Sequence, residues 1–489
     1  MSCPNDLFAA AAIALVLHPS ASRAEPLGAP GNQWLGMNTG HESNGAAMQA
    51  VMKDFKTVGL RAARKGGNVS TATPSQALSD QDAVVETMAA AGVRIHWVIN
   101  YRGHGINPAG TSRKELASLD LDGPVMATWL ENYKQRCVEL FVRYSSPGRE
   151  KILHYIVGNE PNLGDNFTSL EGRPDVAVKL TRAMYEAARQ VNPRILVQCP
   201  PVSTPEAPYL QEMIKLGVAG YCHIIGIHVY GGQTHPGRLD KPWQWLQAAG
   251  VTDKPVAISE AGVSTGWNPA WSDNKRQWQS DWLNNFHVMA KRYGYSFGLL
   301  FTHDDDHTAD WALLRADGAR VQPSWDEIST LTKPQGLRNP GFETANDIRR
   351  QWYPEHNPDT DWPSGFDWQF NANPRGGVHC ARISTNARWD TAAHQVVDNL
   401  TPGTTYRVTG WIRSDSPKGG RFNICGSQAH NGIQSFASDT ITTNTWTQVA
   451  VEVTPTNPWI VISLNALKNE SASSVYFDDF SVVPAAAPK

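Results

Sequence analysis

Residues 152–162 read Ile-Leu-His-Tyr-Ile-Val-Gly-Asn-Glu-Pro-Asn. A short apolar run with β-forming residues ends at a glycine, and a glutamate follows it at once. An unpaired carboxylate at the end of a buried strand is costly in a purely structural setting. Glu160 therefore marks a place where the chain spends stability on chemistry. A second stretch repeats the arrangement about 100 residues on, as Val256-Ala-Ile-Ser-Glu-Ala-Gly262 puts Glu260 at the end of another apolar run.

Working outward, such runs recur at Gln33–Asn38, Leu60–Lys65, Arg94–Tyr101, Ile152–Gly158, Ile195–Pro200, Ile224–Tyr230, Val256–Glu260 and Phe297–His303. Helical periodicity fills the intervals. Between Asp175 and Val191 one face holds Val178, Met184, Ala188 and Val191, with Asp175 placed to cap the start and Pro193 just beyond the end. From Lys275 to Tyr293 a face of Trp278, Trp282, Phe286, Met289 and Tyr293 ends at Gly294. Strand then helix, eight times over some 300 residues, predicts an α/β fold of the (β/α)8 TIM-barrel type over residues 30–332. The competing arrangement is an open, doubly wound sheet, which the lack of a glycine-rich phosphate loop after the first strand disfavours. In a barrel the strand ends share one mouth, so the runs ending at Glu160 and Glu260, fourth and seventh, face each other there.

The texture changes near Lys333-Pro334-Gln335-Gly336. Alternating strands follow at Tyr406–Ile412, Thr447–Val453, Ile460–Leu464 and Val475–Val483, split by turns such as Thr401-Pro402-Gly403. This predicts an antiparallel β-sandwich domain over 337–484.

The chain has 489 residues, of which 18% are charged and 41% hydrophobic, with 18 tryptophans and a net charge of −3. That is folded, globular material, and the charge gives no case for nucleic acid or an anionic membrane surface as a partner. An apolar run at Leu7–Leu17 is too short to span a bilayer and precedes Ser22-Arg23-Ala24. Residues 1–24 are thus expected to be a signal peptide, although no basic residue precedes the run, and the protein is expected to be secreted or periplasmic. Six cysteines, with no Cys-x-x-Cys, make neither a disulfide framework nor a zinc site. Cys137, Cys199 and Cys222 read as packing residues, while an oxidising compartment would permit Cys380 and Cys425 to pair.

Asn-Glu-Pro ending the fourth strand, with a glutamate ending the seventh, resembles the fingerprint of the clan A glycoside hydrolases. The resemblance covers the barrel, and the forms Gly158-Asn-Glu-Pro-Asn162 and Ser259-Glu-Ala-Gly262 are most similar to family 39 and its neighbours. It implies a retaining O-glycoside hydrolase acting on a poly- or oligosaccharide, with Glu160 as general acid/base, Glu260 as nucleophile and no cofactor for catalysis. Such a pair stands about 5–5.5 Å apart. With Glu260 ionised, Glu160 is expected to hold a proton for the leaving group, then to surrender it once Glu260 is a glycosyl ester.

The resemblance also implies that Asn159 bonds a sugar 2-hydroxyl and that Arg64, ending the second strand, orients the nucleophile. His228 and Tyr230 share one side of the sixth strand by its period of two. They are expected at the mouth, touching sugar or tuning Glu260; the alternative is core packing. Asn100 and Tyr101 end the third strand as candidate hydrogen-bonding groups. Trp267 and Trp271, after Glu260, are candidate stacking platforms or loop packing. The eighth strand departs from the clan pattern, with Phe301-Thr302-His303-Asp304-Asp305-Asp306-His307 where many members have a tryptophan. That loop is either a recognition or cation-binding element or a solvated acidic turn. A transglycosylase shares both glutamates, and a non-catalytic glycan binder is the reading from another class.

In the C-terminal region, Asn339-Pro340-Gly341-Phe342-Glu343 and Val475-Tyr476-Phe477-Asp478-Asp479-Phe480 resemble the two ends of carbohydrate-binding modules of the family 4/9/22 type. The resemblance implies a structural calcium held by Glu343 and Asp479 (or Asp478), and carbohydrate as a partner. Seven tryptophans lie in this segment, and several must be core, so their number does not establish a binding cleft.

Overall fold

A computed structural model of the chain describes residues 34–39, 45–66, 74–102, 106, 116, 118–164, 170, 172–234, 236–264, 275–301, 321–333, 336–344, 351–354, 366–386, 390–426 and 436–485. The expected signal peptide, Trp267, Trp271 and the Asp304–Asp306 loop lie outside the described residues.

Eight parallel strands form the first sheet. They are β1 (Leu35–Asn38), β2 (Ala62–Gly66), β3 (Arg94–Ile99), β4 (His154–Val157), β5 (Leu196–Gln198), β6 (Ile225–Tyr230), β7 (Val256–Gly262) and β8 (Gly298–Leu300). Neighbours in sequence are neighbours in space, and β8 pairs back onto β1. Parallel bridges from Gln198 to Ile224 and from Val202 to Ile227 join β5 to β6 and close the ring. That closure excludes the open sheet. After each strand comes one main helix: α1 (Gly45–Val58), α2 (Pro74–Ala90), α3 (Pro124–Ser145), α4 (Pro174–Val191), α5 (Pro208–Lys215), α6 (Lys241–Ala248), α7 (Lys275–Arg292) and α8 (Ser324–Leu331). Parallel strands need such crossovers, which bury the outer face of the sheet.

Local signals held unevenly. Gly294 stops α7 in the left-handed conformation, at φ 72°. Asp175 is not the cap of α4: the helix begins one residue earlier, at Pro174, and the Asp175 carboxylate pairs with Arg173 and accepts from the Val176 amide. Proline at the first helical position starts this helix without a side-chain cap.

The lumen is filled in two ways. Ala62, Ile224, Ala257, Phe297 and Leu299 form one apolar cluster. Beside it, the His96 and His154 rings lie 4.4 Å apart, against Phe297 at 4.6 and 5.5 Å. Gln198 bonds Ser259 at 3.1 Å across the same space.

The C-terminal part is a sandwich of two five-stranded antiparallel sheets. Its strands are β9 (Tyr353–Pro354), β10 (Phe366–Phe370), β11 (Cys380–Ser384), β12 (Thr391–Asp398), β13 (Tyr406–Ser414), β14 (Gly420–Cys425), β15 (Phe436–Ala437), β16 (Thr447–Val453), β17 (Trp459–Ala466) and β18 (Ser474–Pro484). One sheet runs β10-β11-β18-β13-β16 and the other β15-β14-β17-β12-β9. Phe342, Trp352, Ile383, Phe422, Ile462 and Phe477 fill the space between them. The outer face of the second sheet is also covered. Tyr353, Val396, Cys425, Trp459 and Val461 belong to the core cluster of the barrel, not of the sandwich.

The permitted Cys380–Cys425 disulfide is not formed, and both thiols are free. Cys380 bonds the Phe370 carbonyl in one sheet, while Cys425 lies beside Ser463 in the other. Each points away from the sandwich core, whose thickness of about 10 Å separates them beyond disulfide reach. Cys137, Cys199 and Cys222 are buried packing residues, as expected.

Candidate active site

The chain reaches Glu160 through an uncommon backbone. Gly158 has φ 54° and Glu160 φ 43°, so the strand is turned sharply at its end. Gly158 is required twice: for its left-handed φ, and because a Cβ there would stand 2.1 Å from the Tyr101 ring. The Glu160 amide bonds the Pro201 carbonyl at 3.0 Å, which ties the turn to the end of β5. A non-glycine residue held at positive φ stores strain that the surrounding contacts must overcome. This strain aims the Glu160 side chain at the mouth.

Glu260 arrives differently. The register between β6 and β7 slips after Ile227–Ile258, so that His228 stands opposite Glu260. Ser259 already faces the lumen toward Gln198. Simple alternation would then turn Glu260 outward; the bulge turns it in, as bulges next to sites commonly do.

These two ends bring six side chains together. An oxygen of Glu160 and one of Glu260 lie within 4.8 Å of each other, with a His228 ring nitrogen in the same group. His228 Nδ1 is 2.7 Å from Glu160 Oε1 and 3.4 Å from Glu260 Oε2. Arg64 donates from one guanidinium nitrogen to Glu260 Oε1 and from the other to Asn159 Oδ1, the latter at 2.5 Å. The Tyr230 hydroxyl donates to Glu260 Oε2. Arg64, His228 and Glu260 are all at most 5% exposed.

The electrostatics follow from that packing. Burial works to raise the Glu260 carboxyl, but the charge of Arg64, the neighbouring His228 and the hydrogen bonds from Tyr230 and Arg64 outweigh it. They hold Glu260 below the ordinary carboxylate range, and so ionised. Burial first, then the charges of Glu260 and Glu160, push the Tyr230 phenol well above its usual value, so it keeps its proton as a donor. His228 Nε2 is buried without a hydrogen-bond partner.

Among the described residues, Glu160, His228 and Glu260 are also the one cluster with the spacing of metal ligands. The Arg64 guanidinium and the Tyr230 hydroxyl already hold the two oxygens of Glu260, so a cation would compete with a fixed positive charge. The donor set suits an organic substrate better.

Of the other residues read from the sequence, Asn100 is half-buried at the end of β3. Tyr101 is not a substrate contact: it is fully buried, packed on Gly158, Trp129 and Tyr133. Phe301, just after β8, lies edge-on to Tyr230 at 6.0 Å.

In the sandwich, Glu343, Asp478 and Asp479 all approach Gly341. Glu343 accepts from the amides of Val378 and His379, and Asp478 from those of Arg375 and Gly376. Burial is the main cause that pushes the Asp478 carboxyl up to about 6, with the Asp479 charge adding to it. These carboxylates crowd one another, but their oxygens do not converge on one point.

Residues 337–465 match the family model described as a carbohydrate binding domain. No curated protein matches the chain. Solved structures similar to it include a monomeric beta-xylosidase from Caulobacter crescentus CB15, at 12% identity and TM-score 0.47, over 90% of this chain and 97% of that one. A GH39 enzyme from Xanthomonas axonopodis pv. citri has 12% identity and TM-score 0.47, over 90% and 96%. GH5_18 from Streptomyces cattleya, in complex with GlcNAc, has 15% identity and TM-score 0.46, over 63% and 83%.

Proposed function

We propose that this chain is a retaining glycoside hydrolase that cleaves glycosidic bonds in a poly- or oligosaccharide. The observation that carries the reading is the pair of carboxylates at the ends of β4 and β7, within 4.8 Å of each other. That spacing is nearer to the roughly 5–5.5 Å of a retaining pair than to the roughly 6.5–9.5 Å of an inverting one, which supports the retaining reading.

Glu260, held ionised by Arg64 and Tyr230, attacks the anomeric carbon. Glu160 gives its proton to the departing oxygen, and a glycosyl ester to Glu260 remains. Formation of the ester removes the charge of Glu260. Glu160, now a carboxylate, takes a proton from water, which attacks the same carbon and releases Glu260. In this second step Glu160 is a carboxylate and can only accept, so His228 Nδ1 donates to its Oε1 and leaves Oε2 for the proton in transit. Asn159, fixed by Arg64, is placed to bond the sugar 2-hydroxyl.

The first product from an aryl glycoside, followed by proton NMR before mutarotation, is expected to keep the anomeric configuration of the substrate. Initial formation of the opposite anomer would overturn the reading.

The match of residues 337–465 to a carbohydrate binding domain supports carbohydrate as the partner of the sandwich. The apolar run at Leu7–Leu17 supports action outside the cytoplasm, and no helix among the described residues is long and apolar enough to cross a membrane. We also retain the structural calcium expected at Glu343 and Asp479 (or Asp478). Millimolar calcium should then raise the unfolding midpoint by several degrees over a chelator-treated sample, and Glu343→Ala should abolish the rise. Equal midpoints with calcium and with chelator would remove the metal from the account.

A further inference from the structure

The helix α7 is polar where a barrel helix meets solvent, yet nothing of that face is wet. Ser280, Asn284, His287 and Lys291 follow at spacings of four, three and four, which is one stripe of a helix. All four are at most 5% exposed. From Asn284 to Lys291 the stripe is covered by the neighbouring helix α8 together with the outer face of β12 and β17 of the sandwich.

At the floor of the barrel this cover is bolted down. Lys291 Nζ lies 2.6 Å from Asp398 Oδ1 of β12, with both side chains buried. The same ammonium sits over the Trp34 ring at 5.8 Å and the Trp459 ring at 5.0 Å. The β14 end comes so close to the helix that a Cβ on Gly426 would stand 2.3 Å from the Lys291 carbonyl oxygen.

The other end of α7 grips the mouth. Trp282 Nε1 donates to the Gly231 carbonyl at 2.7 Å, and Asn285 bonds Thr234 at 3.0 Å, in the turn that follows Tyr230. Gln279 Nε2 reaches the Val263 carbonyl, three residues past Glu260. An 18-residue helix, about 27 Å long, thus links the sandwich to the two segments that carry Tyr230 and Glu260.

We propose that Lys291 and Asp398 are positioning residues for the active site: by clamping α7 against the sandwich, they hold the Tyr230 turn and the Glu260 strand end in register. The sandwich is then a working part of the barrel, whatever glycan it also binds. The proposal rests on the glycosidase reading for its kinetic consequence only.

The test uses the full chain with Asp398→Asn, and with the apolar pair Lys291→Met plus Asp398→Leu. A buried ion pair replaced whole by apolar groups often keeps its packing, whereas one partner left alone does not. Well below the unfolding midpoint, Asp398→Asn should raise amide hydrogen exchange about tenfold at residues 230–234 and 261–264 and leave β3 unchanged. Turnover of an aryl glycoside should fall about three- to tenfold in kcat with KM within about twofold. The double variant should recover both. Faster exchange confined to the sandwich and the floor end of α7, or a full kcat in Asp398→Asn, overturns the coupling. Failure of the wild-type chain to cleave any aryl glycoside would sink the glycosidase reading alone, because the exchange result decides the coupling without substrate.

Discussion

Replacing Glu260 with alanine is expected to lower kcat on an aryl glycoside by a factor on the order of 10⁴–10⁶, the range seen when a covalent nucleophile is removed. The variant keeps Glu160 and the mouth, so a small anion can enter the space the carboxylate leaves. Azide should then attack the anomeric carbon directly and yield a glycosyl azide of inverted configuration. Glu160→Ala should behave differently. With a good leaving group such as dinitrophenolate, the first step needs no acid and stays fast. The second step loses its base and slows by about 10²–10⁴. Azide should accelerate that step and give a glycosyl azide of retained configuration. The two azide products separate the roles of two glutamates that look alike in sequence. If they appear with the residues exchanged, Glu160 is the nucleophile and the assignment is wrong. If neither variant loses activity, the site is elsewhere. Circular dichroism should accompany the rates, since removing Glu260 strands the buried guanidinium of Arg64.

Much of this site was legible because its parts lie where strands end. The eight apolar runs located the mouth, and within it Arg64, Asn159, Glu160, His228, Tyr230 and Glu260 meet. Two of them get there by devices the pattern does not encode. Ser259 and Glu260 are consecutive, so period two allows only one of them to face inward; the β6–β7 bulge admits both. Glu160 depends on positive φ, and of the two left-handed residues only Gly158 advertises it. Tyr101 read as a ligand group because it ends a strand, yet its ring is what makes Gly158 necessary.

The sandwich divides on similar lines. Strands β13 and β16 alternate between buried and exposed and could be read directly, each lying in the sheet whose outer face is open. Strand β12 is not legible in the sequence and β17 is legible only in part, because nearly every residue of both is buried. One side of each faces the sandwich core and the other faces the barrel, so no alternation is left to find. The interface that hid these strands is the one that, with α8, covers the polar stripe of α7 from Asn284 to Lys291. Domain docking therefore erased the pattern on both of its sides.

Acid should destabilise the protein well before the carboxylates held low by ion pairs are protonated. His96, His154, His223 and His287 are all held below the ordinary histidine value, and in each the first cause is burial, which disfavours the charged ring. His154 is lowered to about 3 and His223 to about 4. A group whose folded value is depressed favours the fold fully above its unfolded value, near 6.5, and loses that contribution as pH falls toward the folded value. Asp82, Glu186 and Glu260 are also held low, but their effect begins only below about 4.5. Asp478, pushed up to about 6, acts in the opposite sense: its protonation favours the fold, which partly offsets the loss below pH 6. The interval from 6.5 to 4.5 therefore belongs chiefly to the histidines. By pH 5, His154 alone costs about 2 kcal/mol, a sizeable part of the roughly 5–15 kcal/mol that holds a domain folded. Urea midpoints at pH 8 and pH 5 should differ accordingly, and His154→Leu with His96→Phe should flatten the difference. Equal midpoints for the wild-type chain, or the same slope in the variant, would refute this account of the barrel floor. The floor and the mouth also separate in time. Activity lost progressively at pH 5 reports the histidines beneath the site, whereas a rate already low in the first seconds, at a pH well below 4.5, reports protonation of Glu260.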